Sequence, residues 1–329
     1  MIKIINISSN GKLYIIGEYN VLRPKGRAIL LGVNKTIDFQ IEASQVFSYL
    51  DNGNSEEFFY KDEKIIFTNG HDPLVKEAIT EAFNYLNFKE ISINPFTLKI
   101  TSNLKRGDVK MGLGSSGAII TGTIKSILAF HEVEFDELLV FKLAVITKLK
   151  AGEYSSGGDL ASSLYPGLIY YHRYKLSWVL KNLSSDKIYL KKWPHLKIIP
   201  IQSKFKFGAV WTKESYKTIP LNNEISKKAY KKAQRLVKKA YTGLLDNHYY
   251  DLKQSIIAYQ TWLDIVLKAD NLVTEKLSKA LQLADNNYLT AKISGAGGGD
   301  SIIFLLPEGY YLNNFEEDLI KHDLELLDI

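Results

Sequence analysis

Between residues 294 and 300 the chain reads Ser-Gly-Ala-Gly-Gly-Gly-Asp, with Ile293 before it and an apolar run at 301–306 after it. Four glycines in five positions cannot form the interior of a helix or strand. Glycine loses the most backbone freedom on ordering and offers no side chain to pack. The segment must be a loop held by strands at both ends. A plain hairpin turn needs one or two glycines; four suggest a concave nest of amides around an anion. A second glycine loop, Gly112-Leu113-Gly114-Ser115-Ser116-Gly117, runs straight into the apolar face of a helix carried by Ala118, Ile119, Ile120, Ile124, Ile127 and Leu128. A helix start offers unpaired amides and a positive dipole end, and the Ser115 and Ser116 hydroxyls can bind a phosphate or a magnesium ion.

Read alone, the second loop is equally a serine-capped turn. It also matches the dinucleotide pattern G-x-G-x-x-G, but that fingerprint needs a buried strand just before it. The preceding Lys105-Arg106-Gly107-Asp108-Val109-Lys110 is not one. The pattern G-x-x-x-x-G-K-[ST] is absent. A third segment, Asn10-Gly11-Lys12-Leu13-Tyr14-Ile15-Ile16-Gly17-Glu18-Tyr19, puts Lys12 where a turn enters a strand. There it can meet phosphate oxygens gathered by the two loops. Asp159 opens a short helix after Ser155-Ser156-Gly157-Gly158. Its spacing alone favours a carboxylate placed by the helix dipole; the alternative is a carboxylate that orients an acceptor oxygen.

The pattern of apolar residues predicts strands at 4–7, 13–16, 28–33, 37–41, 96–101, 167–171, 196–201, 207–211 and 301–306. A hairpin with loops is expected over 44–69. Helices are expected at 73–85, from the serines at 115, and at 135–150, 159–164, 272–284 and 315–322, with two long ones between 225 and 266. His71-Asp72-Pro73 reads as a helix start. The 329 residues suit two cores, with no long linker or repeat. The expected architecture is two α+β lobes, residues 1–195 with the phosphate loop, Lys12 and Asp159, and 196–329 with the last glycine loop.

With no cysteine, disulfides, thiolate chemistry and cysteine-based zinc sites are excluded. The six histidines are scattered, so no histidine metal site is expected. No apolar stretch is long enough to span a bilayer, and the start has no secretion-signal pattern; a cytoplasmic protein is expected. The net charge of +6 reads as lysine-rich composition rather than nucleic-acid binding. Lys227, Lys228, Lys231, Lys232, Arg235, Lys238 and Lys239 form one solvated helix face.

Together these segments resemble the GHMP kinases, the family of galactokinase, homoserine kinase, mevalonate kinase and phosphomevalonate kinase. The three motifs stand in the family's order: residues 11–19, 112–117 and 292–300. Within the family, Ser102-Asn103-Leu104, the Gly-Asp-Leu-Ala run at 158–161, Lys192-Trp193-Pro194 and the Ser-Gly-Ala-Gly-Gly-Gly-Asp ending are similar to the bacterial-type phosphomevalonate kinases. A mevalonate kinase would carry a glutamate metal ligand eleven positions before its catalytic aspartate; here that position is Lys148.

The resemblance implies a ribosomal-protein-S5-domain-2-like N-terminal lobe and a ferredoxin-like C-terminal lobe. It implies ATP and Mg2+, transfer to phosphomevalonate, and a monomer or homodimer. It assigns catalysis to Lys12 and Asp159. ATP binding falls to Lys110, Gly112, Leu113, Gly114, Ser115, Ser116, Gly117, Ser102 and Asn103. Substrate binding falls to Ser294, Gly295, Ala296, Gly297, Tyr19 and Ser156, and the metal to Ser116 with Glu153. Three features depart from the branch: Asn10 in place of proline, Ser301 in place of cysteine, and residues 213–218 in place of a Gly-x-Pro-Ala-Ser type run.

Overall fold

The computed structural model describes residues 3–51, 53–68, 72–107, 109–214, 225–268 and 271–329. The four strands expected before residue 42 are two long ones, β1 (Ile4–Ile16) and β2 (Arg27–Ala43). The polar residues 8–12 broke the apolar pattern but not the pairing. Ser9 is fully buried and accepts from the Thr121 hydroxyl at 3.3 Å. The register shifts between Asn10 and Gly11, where β2 carries extra residues, and Asn10 Nδ2 bonds the Val33 carbonyl there at 2.9 Å. A bulge of this kind bends a strand without ending it.

The hairpin region resolves into β3 (Phe47–Asp51), β4 (Asn54–Lys61) and β5 (Lys64–Phe67). α1 (Pro73–Phe88) follows, capped by Asp72, whose carboxylate accepts from the Leu74 and Val75 amides; His71 lies outside the described residues. Then come β6 (Phe96–Ser102), the two-residue strands β7 (Lys105–Arg106) and β8 (Val109–Lys110), and α2 (Ser115–Phe130). The first lobe continues with α3 (Glu137–Lys150), α4 (Gly158–Leu164), β9 (Gly167–His172), α5 (Leu176–Asn182) and β10 (Lys197–Ile201).

The larger sheet runs β10-β9-β2-β6-β3-β4-β5, with β1 paired to β2. β9 takes the first half of β2 and β6 the second, so β1 borders the sheet on the other side. α2 packs on β1 and β2 through Ala118, Ile120, Ile124, Ile127 and Leu128, all fully buried. Each large aliphatic side chain so buried contributes about 1.5–3 kcal/mol. The sheet also takes in β10, which pairs with β9 from Lys197 to Ile201, past the boundary expected at 195. Periodicity cannot reveal which sheet an apolar run joins.

The second lobe comprises β11 (Lys206–Trp211), α6 (Lys227–Leu245), α7 (Tyr249–Lys268), α8 (Glu275–Asn286), β12 (Thr290–Ser294), β13 (Ser301–Leu306), α9 (Asn313–Lys321) and β14 (Glu325–Leu327). Its antiparallel sheet has the order β12-β13-β11-β14. A strand, helices, two strands, a helix and a last strand in that order is the ferredoxin-like arrangement. The seven cationic residues of α6 are exposed, while Ala233, Val237, Ala240 and Leu244 face inward. Among the described residues no helix is long and apolar enough to cross a membrane.

Candidate active site

β1 is an edge strand, and an edge strand leaves alternate amides unpaired. Two of them, two residues apart, leave the sheet. The Lys12 amide donates to the Leu113 carbonyl at 2.7 Å, and the Tyr14 amide donates to Ser294 Oγ at 2.8 Å. The edge is thus covered by both glycine loops, and the Lys12 side chain lies between them. A Cβ on Gly114 would come within 2.5 Å of Lys12 Cγ. Gly114 also has φ 75°, so only glycine suits the position. On the other side, Lys12 Nζ is 3.9 Å from where a Gly295 Cβ would stand.

No side chain caps α2. Its first residues, Ser115 and Ser116, line a cavity of about 440 Å³ together with Ser102, Lys105, Lys110, Tyr49, Asp51 and Asp72. An uncapped helix start beside such a cavity is a ready anion site. β7 and β8 pair only with each other, so the buried strand a dinucleotide fingerprint requires is missing before this loop. Asn103 is drawn elsewhere: its amide bonds Asp38 at 2.9 Å.

Asp159 stands in the first turn of α4, and α2 packs against its backbone at Gly117. Its carboxylate holds Lys148 Nζ at 2.6 Å. Burial alone would raise its proton affinity, but Lys148 and then Lys12 outweigh that, and its pKa falls below the usual carboxylate range. Ser156 lies within 3.4 Å of the Tyr14 hydroxyl and accepts the Gly158 amide. Glu153 is half exposed, 3.9 Å from Lys148. Among the described residues no group of three or more His, Cys, Asp or Glu side chains could hold a metal ion.

The last glycine loop is pinned from β1 and from the segment after it. The Tyr19 hydroxyl donates to the Ala296 carbonyl. Glu18 forms an ion pair with Lys292, both almost wholly buried, and accepts the Gly295 amide at 3.3 Å. Gly297 and Gly298 turn against the Leu272 carbonyl. Asp300 reaches across to the second loop: a Cβ on Gly112 would strike its Cγ at 2.3 Å. Of the departing segment, Glu214 accepts the Asp300 amide at 3.1 Å; Ser215 and Thr218 lie outside the described residues.

Sequence reasoning gave no role to Glu18, Lys292, Asp300 or Lys148. The first three stand inside the quoted motifs, which was the available signal. For Lys148 there was none beyond its distance from Asp159 along the chain.

Residues 73–167, which hold α1 to α4 and the second loop, match the model of the GHMP kinases N-terminal domain. Over that stretch the chain is similar to the N-terminal domain of the GHMP kinases. The chain is 27% identical to the phosphomevalonate kinase of Streptomyces sp. (strain CL190), over 90% of its own length and 88% of that protein. It is 26% identical to the mevalonate kinase of Methanocaldococcus jannaschii, over 96% and 94%. Its fold matches that of Streptococcus pneumoniae phosphomevalonate kinase in complex with phosphomevalonate and AMPPNP, with a TM-score of 0.84, 24% identity and 98% of each chain covered.

Proposed function

We propose that this protein is a GHMP kinase, a phosphomevalonate kinase that transfers the γ-phosphoryl group of ATP to 5-phosphomevalonate, giving ADP and 5-diphosphomevalonate for isoprenoid synthesis. The observation that carries the reading is the place of Lys12, held between the two glycine loops with its charge acting on Asp159. The similarity to the Streptomyces enzyme along nearly the full chain supports the choice of acceptor. A cytoplasmic location accords with this pathway role.

In this reading the amides and hydroxyls at the start of α2 hold the ATP phosphates, and the cavity beside them takes the nucleoside. An oxygen of the acceptor phosphate bonds to the γ-phosphorus as the bond to the β–γ bridging oxygen breaks. The electron pair leaves with ADP. The acceptor is a phosphate dianion, so no proton has to be removed. Lys12 neutralises charge on the group in transit, and Asp159 orients the acceptor side; positioning and charge carry most of such a transfer. Magnesium would neutralise the nucleotide phosphates. The residues present fit an ion that keeps water and phosphate ligands, with the Ser116 hydroxyl as its protein ligand.

The test is ADP release with phosphomevalonate, mevalonate, galactose and homoserine as acceptors. Turnover with phosphomevalonate is expected. Turnover with mevalonate or galactose and none with phosphomevalonate would sink the assignment.

A further inference from the structure

Lys148 comes from the last turn of α3 and Asp159 from the first turn of α4. The loop between them doubles back, so that Nζ and Oδ2 meet at 2.6 Å with the lysine side chain only 6% exposed. An ammonium so enclosed is costly unless it is paired. Lys12 acts on the same carboxylate from β1. Two cations thus act on one carboxylate, with Glu153 standing 3.9 Å from Lys148 on its exposed side.

We propose that Lys148 is a positioning residue that sets the acceptor class: by holding Asp159 in an ion pair, it suits the site to a phosphate monoester and works against a neutral alcohol. The inference rests on the phosphate-acceptor reading above. The two acceptor classes make different demands on the carboxylate. A phosphate monoester near neutral pH is largely dianionic, since its second proton leaves near pH 6. Its oxygen bonds to the γ-phosphorus with no proton to lose, and the Lys12 and Lys148 ammonium groups attract it. An alcohol must release its proton as the new O–P bond forms, and some base must take it. A carboxylate already bound to one ammonium and facing another is a poor base. The ion pair therefore favours the first acceptor and handicaps the second.

The experiment compares the full-length chain with Lys148→Met and Lys148→Arg. It measures kcat and KM for ATP, phosphomevalonate and mevalonate, with melting temperature and ATP affinity confirming the fold. Lys148→Met is expected to lower kcat with phosphomevalonate by about tenfold or more while KM for ATP stays within about threefold. It should also narrow the phosphomevalonate-to-mevalonate ratio in kcat/KM, and Lys148→Arg should restore much of both. A folded Lys148→Met with unchanged kcat and ratio, or one that loses both acceptors in equal proportion, overturns the proposal. Should Lys148→Met fail to fold, Lys148→Gln keeps a donor to Asp159 without the charge and gives the same two readings. A wild-type chain that uses mevalonate and not phosphomevalonate overturns the acceptor reading itself. A wild type active on phosphomevalonate with an unchanged Lys148→Met overturns only the role of Lys148.

Discussion

Lys12 and Asp159 make separable contributions, and single substitutions can read each. Lys12→Met removes the charge that meets the group in transit; Asp159→Asn removes the anion while keeping the shape. Each is expected to lower kcat by about a hundredfold or more; Lys12→Met should leave the melting temperature little changed, whereas Asp159→Asn strands the enclosed Lys148 ammonium and should lower it. Near-normal turnover in either variant removes its assigned role. Asp51, in the wall of the cavity, makes a prediction about pH. Burial, and then the neighbouring Asp72, push its carboxyl up to about 6. A carboxyl raised on folding contributes its full stability below its unfolded value near 4, and that contribution is lost as pH rises through 6. Asp51→Asn should therefore stabilise the nucleotide-free chain at pH 7.5 by about 1 kcal/mol, after allowance for solvent screening. The gain should shrink to about a third near pH 4.5 and vanish only below the unfolded value near 4. Denaturation at the two pH values decides it, and an equal shift at both contradicts the argument.

Among the elements, those with strong periodicity were legible in the sequence. α1 and the two long helices fall where the apolar spacing put them, because each buries one continuous face; α2 and α3 are buried on nearly all sides and were legible as apolar runs of helical length. β1 was read as two pieces because residues 8–12 are polar. Pairing with β2 along the whole length overrides local preference, as strand formation often does. β14 and α5 gave no signal, being three and seven residues long. The glycine loops were legible as anion nests, but their contacts with Lys12 and Asp300 join residues about a hundred or more positions apart, which no local pattern encodes. One such contact yields a prediction. Gly114→Ala adds a methyl group where Lys12 Cγ passes and imposes strain at φ 75°. Turnover should fall by about tenfold or more, with the circular dichroism of the helices unchanged. Wild-type turnover in Gly114→Ala shows that the Lys12 side chain is free to move aside.

At the scale of the whole molecule, the two lobes meet where β1 and the residues just after it touch the last glycine loop. The ion pair of Glu18 with Lys292 is the most enclosed part of that contact. Removing one member strands the other charge in a buried place, which costs about 3–5 kcal/mol. Lys292→Met alone should lower stability by that amount in urea denaturation. The double variant Glu18→Gln with Lys292→Met should recover much of it. If the single and double variants are equally unstable, packing rather than charge governs the junction. The Lys12 amide has a further consequence at this scale. It points out of the sheet and is held by Leu113, so its hydrogen can exchange with solvent only when the phosphate loop lifts off the strand. Deuterium uptake at that one position would thus count loop openings directly, and ATP should slow it while amides elsewhere in β1 keep their rates.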